Sequence, residues 1–122
     1  GDNPCVDPDY LDAAIAAYLR DPCVYYSNTT AYVGTTAVDG IGAEVVSRSR
    51  LQWLDQRTQG HPEWREHPHR YFEERGLLPL PPSAIRLDVN TVNDYAFVQH
   101  LYAHFGHNRF TSAEAVTYLE AC

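Results

Sequence analysis

The sequence predicts an α/β fold in which a partly parallel sheet is flanked by helices. Three observations carry this. Short runs of β-forming residues alternate with longer segments of helical periodicity, the order that builds strand–helix–strand units. Two helix starts carry capping boxes, Thr91 with Asp94 and Thr111 with Glu114. The run from Ile85 to Asp94 passes from a period of two straight into a capped helix. At 122 residues, 44% hydrophobic and 20% charged, the chain suits one globular domain with a modest core.

Asp7-Pro8 starts the first helix, with Asp as cap and Pro in the first turn. Leu11, Ile15 and Tyr18-Leu19 recur at helical spacing up to Arg20, and Asp21-Pro22 ends the helix. Val24-Tyr25-Tyr26 is a short strand by its β-formers, followed by the polar loop Ser27 to Thr30. Tyr32 to Thr36 fits a strand or an extended loop. Asp39-Gly40-Ile41-Gly42 is a turn, and Ala43 to Val46 a strand. Ser47 caps a helix through Leu51, Trp53-Leu54 and Arg57, closed by Gly60 and Pro62. His61 to His69 is a polar, proline-broken segment, and a short helix lies near Arg70 to Arg75. Leu77 to Pro82 is a proline-rich connector that cannot be a central strand. Ile85, Leu87 and Val89 then alternate with Arg86, Asp88 and Asn90 as a strand. Helices follow from Val92 to about Phe105 and from Ser112 to about Ala121. No repeat, low-complexity tract or linker divides the chain.

Composition narrows the function. A net charge of -7 argues against a nucleic-acid partner, because phosphate binding needs a basic surface. No apolar run approaches a membrane span, and no signal peptide is visible. Cys5, Cys23 and Cys122 are an odd count at spacings unlike any zinc site, which favours free thiols in a reducing cytoplasm, with one isolated disulfide as the alternative. The chain has neither Met nor Lys, and it opens on Gly1-Asp2-Asn3-Pro4 with no strand in front. It reads as the middle of a longer protein.

The candidate chemistry begins at Asp88 and Asn90. Alternate strand residues share a face, so these two point the same way at the carboxyl end of a strand, where open α/β sheets bind ligands. Such oxygen donors suit a hard cation such as Mg²⁺. The plainer reading makes Asp88 a turn-side polar group and Asn90 part of the cap. Asp2 is a metal ligand on a strand-end loop or a residue of a frayed terminus. His100 and His104, four apart with His107 close behind, could bind zinc or simply line a helix surface beside Tyr102 and Phe105. His61, His67 and His69 suit solvent or a subunit contact. Glu44, among apolar strand residues, lies at an exposed edge or faces a hydroxyl-rich ligand, since unpaired burial would be costly. No nucleophile–base pair and no P-loop or Rossmann glycine fingerprint is present.

The order of motifs resembles the sugar-nucleotide cytidylyltransferases, most of all the spore-coat polysaccharide type related to the CMP-KDO and CMP-acylneuraminate synthetases. Gly1 to Pro8 is similar to that family's "GD-P" segment, Tyr26-Ser27-Asn28-Thr29 to its "YVSNT", and Asp39 to Val45 to its "DGLDVEV". Arg65-Glu66-His67 is similar to "REHVTPY", although Pro68-His69-Arg70-Tyr71 departs from the usual continuation. Arg86 to Tyr95 is similar to "RLTVDTPEDY", and Phe110-Thr111 with Glu114 echoes the closing helix. The resemblance spans nearly the whole chain but only the C-terminal half of the family's domain.

It implies a partial Rossmann-like nucleotidyltransferase sheet, of the nucleotide-diphospho-sugar transferase type, with flanking helices. Residues 1–122 would form one partial domain, the sugar- and metal-binding half. The missing N-terminal half carries the Gly- and Arg-rich loop with a Lys that binds the CTP phosphates and base, and the absence of Lys here fits. By this resemblance Asp2 matches the metal-binding Asp, and the second acidic position falls on Asn90 with Asp88 as its alternative. Asn in place of Asp lowers the charge of that site. Asn28 and Glu44 match sugar-holding positions, and Arg65 serves a carboxylate or phosphate through bidentate contact. The implied cofactor is Mg²⁺, and the implied partners are CTP and a sugar. The implied chemistry is direct attack of a sugar hydroxyl on the α-phosphate of CTP with loss of pyrophosphate. The isolated chain is expected to be inactive and, with a sheet edge unpaired, to dimerise, aggregate or fold poorly. The rival expectation is a non-catalytic binding or assembly module that kept the fold.

Overall fold

The computed structural model describes residues 2–23, 25–34, 36–77 and 85–122. Gly1, the expected strand residue Val24 and most of the proline-rich connector lie outside the described residues. The elements run α1 (Pro8–Arg20), β1 (Tyr26–Ser27), β2 (Ala31–Val33), β3 (Thr36–Asp39), β4 (Glu44–Val45), α2 (Arg48–Arg57), α3 (Pro62–Glu66), α4 (Pro68–Glu73), β5 (Ile85–Arg86), α5 (Val92–Phe105) and α6 (Ser112–Ala121). The fold is mixed α/β, with small sheets and flanking helices, as the sequence predicts.

Side-chain caps set the helix starts. Asp7 accepts from the Asp9 N–H, Ser47 from that of Arg50, and Thr91 and Thr111 both close full reciprocal boxes. Each satisfies backbone donors that the first helical turn leaves without a partner. The segment from His61 to His69 holds more helix than expected. Pro62 and Pro68 sit in the first turns of α3 and α4, where a missing N–H costs nothing, so these prolines start helices and do not break them.

The strands form two small sheets. β1 pairs antiparallel with β4, Tyr26 opposite Val45. In the second sheet β2 pairs antiparallel with β3, and β3 pairs parallel with β5, Val38 opposite Ile85 and Asp39 opposite Arg86. The expected partly parallel sheet is thus built on β3 and β5, and the stretch from Tyr32 to Thr36 divides between strands β2 and β3. β5 is shorter than the alternation from Ile85 to Asn90 suggests. Past Arg86 the Leu87 N–H still bonds the Asp39 carbonyl at 2.9 Å, and the backbone at Gly40 closes on Leu87 and Asp88.

Burial divides between two apolar clusters. Val33, Val38, Ile41, Leu87, Leu101 and Val116 join the larger sheet to α5 and α6. Tyr25, Leu54, Tyr71 and Phe72 join β1 to α2 and α4, with Trp53 and Trp64 packed against them. Leu11, Ile15 and Leu19 leave an apolar stripe on α1, with Leu19 71% exposed. The three cysteines are free thiols, and burial pushes Cys5 up to about 11.

Candidate functional site at the sheet rim

The segment from Asp2 to Asp7 lies across one end of the larger sheet. Val89 donates its N–H to the Asp2 carbonyl at 2.6 Å, and Asp7 donates to the Ile41 carbonyl at 2.9 Å. The Tyr102 hydroxyl of α5 donates to the Pro4 carbonyl at 2.8 Å. Asp2 is therefore brought beside the residue that separates Asp88 from Asn90.

The same turn fixes Asp88. A Cβ on Gly40 would stand 2.5 Å from the Asp88 nitrogen and 2.8 Å from the Leu87 carbonyl carbon, and Gly40 has φ +84°. Only glycine accepts both that approach and that conformation cheaply. Past β5 the alternation holds, and Arg86, Asp88 and Asn90 touch on one face. Arg86 donates to the Asp88 carboxylate from Nε at 3.1 Å and from Nη2 at 2.5 Å. Asn90 donates Nδ2 to the same carboxylate. The Arg86 hydrogen bond, opposed by desolvation and aided by Asn90, holds the Asp88 carboxyl below its ordinary range.

That arrangement makes a prediction. In Arg86→Gln the Asp88 carboxyl should titrate at a higher pH than in the wild type, followed by carbon-detected NMR of the side chain. A depressed folded-state value stabilises the fold above the unfolded carboxyl range and is lost as pH falls through it, so the variant should also lose less stability on acidification. An unmoved Asp88 titration would remove Arg86 as the cause.

The side-chain oxygens at this rim are the Asp88 carboxylate and the Asn90 amide oxygen, whose nitrogen faces Asp88, and Asp2 joins them through its main chain. Mg²⁺ binds through one or two carboxylates and completes its shell with water and substrate phosphate. No group of three His, Cys, Asp or Glu that could hold a metal exists among the described residues. Arg86 competes for Asp88 and can itself face a phosphate. Beside the rim, Pro4, Val89, Tyr95, Val98, Gln99 and Tyr102 line an apolar hollow of about 400 Å³.

The other expected residues are placed differently. Asn28 accepts from the Ala43 N–H at Oδ1 (2.6 Å) and donates from Nδ2 to the Tyr10 carbonyl (2.8 Å). It ties α1 to the residue just before β4. Gly42 permits this, since a Cβ there would lie 2.2 Å from the Asn28 carbonyl oxygen. Glu44 is held between the Tyr25 hydroxyl and His69 Nδ1, the latter at 3.3 Å. Arg65 pairs with Asp55 of α2 at 2.6 Å and does not join the rim. It borders a groove of about 650 Å³ between α2 and α3, with Leu51, Thr58, Trp64 and Pro68. His100 bonds the Tyr118 hydroxyl at 2.7 Å and His104 stacks on the Tyr118 ring at 3.8 Å, so both pack α5 on α6.

Sequence reasoning gave Arg86 and Tyr25 no role and left His69 to solvent or a subunit contact, whereas His69 faces Glu44. The alternation already set Arg86 on the face of Asp88 and Asn90, which was the signal for its contact. Nothing in the local pattern marks Tyr25 or His69, which reach Glu44 from 19 and 25 positions away (44 − 25 and 69 − 44).

No family profile and no solved structure matches this chain. Among curated proteins it aligns with the spore coat polysaccharide biosynthesis protein SpsF of Bacillus subtilis (strain 168), 31% identical over 126 positions. The chain is similar to SpsF along nearly its whole length. The alignment covers 98% of this chain and 52% of SpsF, so the chain spans about half the length of the relative it matches. No helix among the described residues is long and apolar enough to cross a membrane.

Proposed function

We propose that residues 1–122 are the sugar- and metal-binding half of a nucleotidyltransferase domain. The complete domain would couple CTP to an acidic or other sugar, giving a CMP-sugar and pyrophosphate for surface polysaccharide biosynthesis in the cytoplasm. The observation that supports this reading is the Asp2–Val89 backbone bond, which sets the Asp2 main chain beside the residue between Asp88 and Asn90. Similarity to SpsF over the same stretch supports it.

In this reading Asp2, Asp88 and Asn90 hold Mg²⁺ at the rim. When bound, the ion neutralises phosphate charge and fixes its position. Arg86 orients Asp88 and faces the phosphates. The hollow beside Val89 takes an apolar part of the substrate, as ligand pockets usually do. Asn28 positions the turn that carries Glu44, and Glu44 meets the sugar hydroxyls. Arg65 is left to a carboxylate or phosphate reaching the α2–α3 groove. By itself the chain forms no CMP-sugar, because the loop that binds the CTP phosphates lies in the other half.

Calorimetric titration of the chain with a CMP-sugar and Mg²⁺ tests this. Binding should need Mg²⁺, and Asp88→Ala and Asp2→Ala should each weaken it roughly tenfold, the loss of one charge-assisted contact. Equal binding by wild type and both variants, or none in any of them, would favour the second reading, a module that kept the fold without the chemistry. Two observations favour that rival: the Arg86 grip on Asp88 and the apolar stripe along α1.

A further inference from the structure

We propose that Arg50 and Arg57, with Arg75 beside them, form a binding site for a multiply charged anion, a phosphate or a polycarboxylate. No residue of it belongs to the Asp88–Asn90 rim, and the inference does not rest on the nucleotidyl-transfer reading. Helix α2 sets Arg50, Trp53 and Arg57 three and four residues apart, so all three share one side of the helix. Arg50 Cζ lies 4.8 Å and Arg57 Cζ 4.4 Å from the Trp53 ring centre. The two guanidinium carbons are thus no more than 9.2 Å apart, the 4.8 and 4.4 Å laid end to end. Trp53 is itself held edge-on to the buried Tyr71, at 5.8 Å between ring centres. A third guanidinium, that of Arg75, rests on Tyr71, 3.7 Å from its ring centre and 5.1 Å from that of Trp64. Arg75 Nη1 donates to the Tyr71 carbonyl at 2.7 Å.

What these three guanidiniums lack is a carboxylate. Among the described residues, Arg65 and Arg86 are the arginines within ion-pair distance of one. The acids of the same segment are turned elsewhere: Asp55 to Arg65, Glu63 to His61, Glu66 to His67, and Glu74 to the Trp64 indole N–H. Two like charges held on one ring repel each other, and their attraction to the indole offsets only part of that. A multivalent anion that reaches both removes the repulsion. A guanidinium lying over an aromatic ring still presents paired N–H donors, the fork that meets phosphate or carboxylate oxygens two at a time. Because the rings already hold these side chains, less freedom is lost when the anion binds. The charge distribution directs an anion to this face. Residues 48–75 carry six of the nine arginines against five acids, and the rest of the chain carries three against eleven. Elsewhere the chain is net acidic and repels such a ligand.

NMR titration of the intact chain with sodium pyrophosphate, at constant ionic strength and without divalent metal, tests this. The side-chain N–H signals of Arg50 and Arg57 and the indole signal of Trp53 should shift together and saturate. Arg50→Gln and Arg57→Gln should each weaken binding about tenfold, the loss of one charge-assisted contact. Arg57 is exposed, so its replacement leaves the core intact. Arg57→Lys, which keeps the charge without the planar fork, should fall between wild type and Arg57→Gln. Arg20→Gln, which removes an equal charge from α1, should bind as the wild type does. A parallel titration with citrate separates the two ligand chemistries: shifts at the same signals admit polycarboxylates, and their absence restricts the site to phosphates. Arginine and indole signals that move with neither anion overturn the site. An equal loss in Arg20→Gln also overturns it, because attraction to overall charge would then account for the binding.

Discussion

Asp7→Ala is expected to lower the unfolding free energy by about 3 kcal/mol, from a lost helix cap of about 1 kcal/mol and buried donors left without a partner. Asp7 is 7% exposed and serves two helices at once. One carboxylate oxygen caps α1 through the Asp9 N–H at 3.0 Å. The other accepts from the Ser112 N–H at 3.1 Å and from the Ser112 hydroxyl. Removing it leaves the first turn of α6 with donors that water reaches poorly. In a domain of this size the melting temperature should fall by roughly 10 °C, read by calorimetry or circular dichroism. A fall of only a degree or two would mean that Ser112 finds another acceptor.

The pH dependence has a defined sign. Desolvation raises the Asp7 carboxyl and the hydrogen bonds from Ser112, Asp9 and Tyr10 lower it, with a net depression below its ordinary value. A depressed folded-state value means that the contribution is present above the unfolded carboxyl pKa, near 3.9. It is lost as pH falls through the folded value. The Asp7→Ala variant should therefore approach the wild type in stability at strongly acid pH and fall behind it at neutral pH.

Gly40→Ala is expected to damage the fold and the rim together. The added methyl must sit 2.5 Å from the Asp88 nitrogen, and the residue must keep φ at +84°. The left-handed conformation alone costs roughly 1–2 kcal/mol for a residue with a side chain. A contact that close against backbone cannot be relieved by turning a rotamer, so β3 and β5 must part or the loop must move. A total loss of about 3 kcal/mol or more follows, as for other changes that force backbone shifts. Asp88 moves with its backbone, so Mg²⁺-dependent CMP-sugar binding should weaken at temperatures where the variant is still folded. A folded variant that binds as tightly as the wild type would show that Gly40 does not position the rim.

What the sequence made legible was local. The caps at Asp7, Ser47, Thr91 and Thr111 each satisfy donors within three residues, so spacing alone reveals them, and the helices they start lie where expected. The shared face of Asp88 and Asn90 followed from the period of an extended chain. The short helix α3 was less legible, because prolines that begin a helix and prolines that break one look alike in sequence. The second contact of Asp7, with a residue 105 positions away, left no mark at all.

The sequence by itself determined the α/β class, the capped helices and the common face of the residues past Arg86. Those depend on hydrogen bonds and side-chain periods that span a few residues. The tertiary structure decided that Asp2 meets Val89, that Arg86 grips Asp88, that the Asn28 amide serves the backbone, and that Glu44 lies between Tyr25 and His69. Apart from Arg86 and Asp88, which are two residues apart, these contacts join segments far apart in the chain. The turn holding Gly40 and Gly42 lets the backbone come close to Asp88 and Asn28, and residue spacing carries no record of that distance.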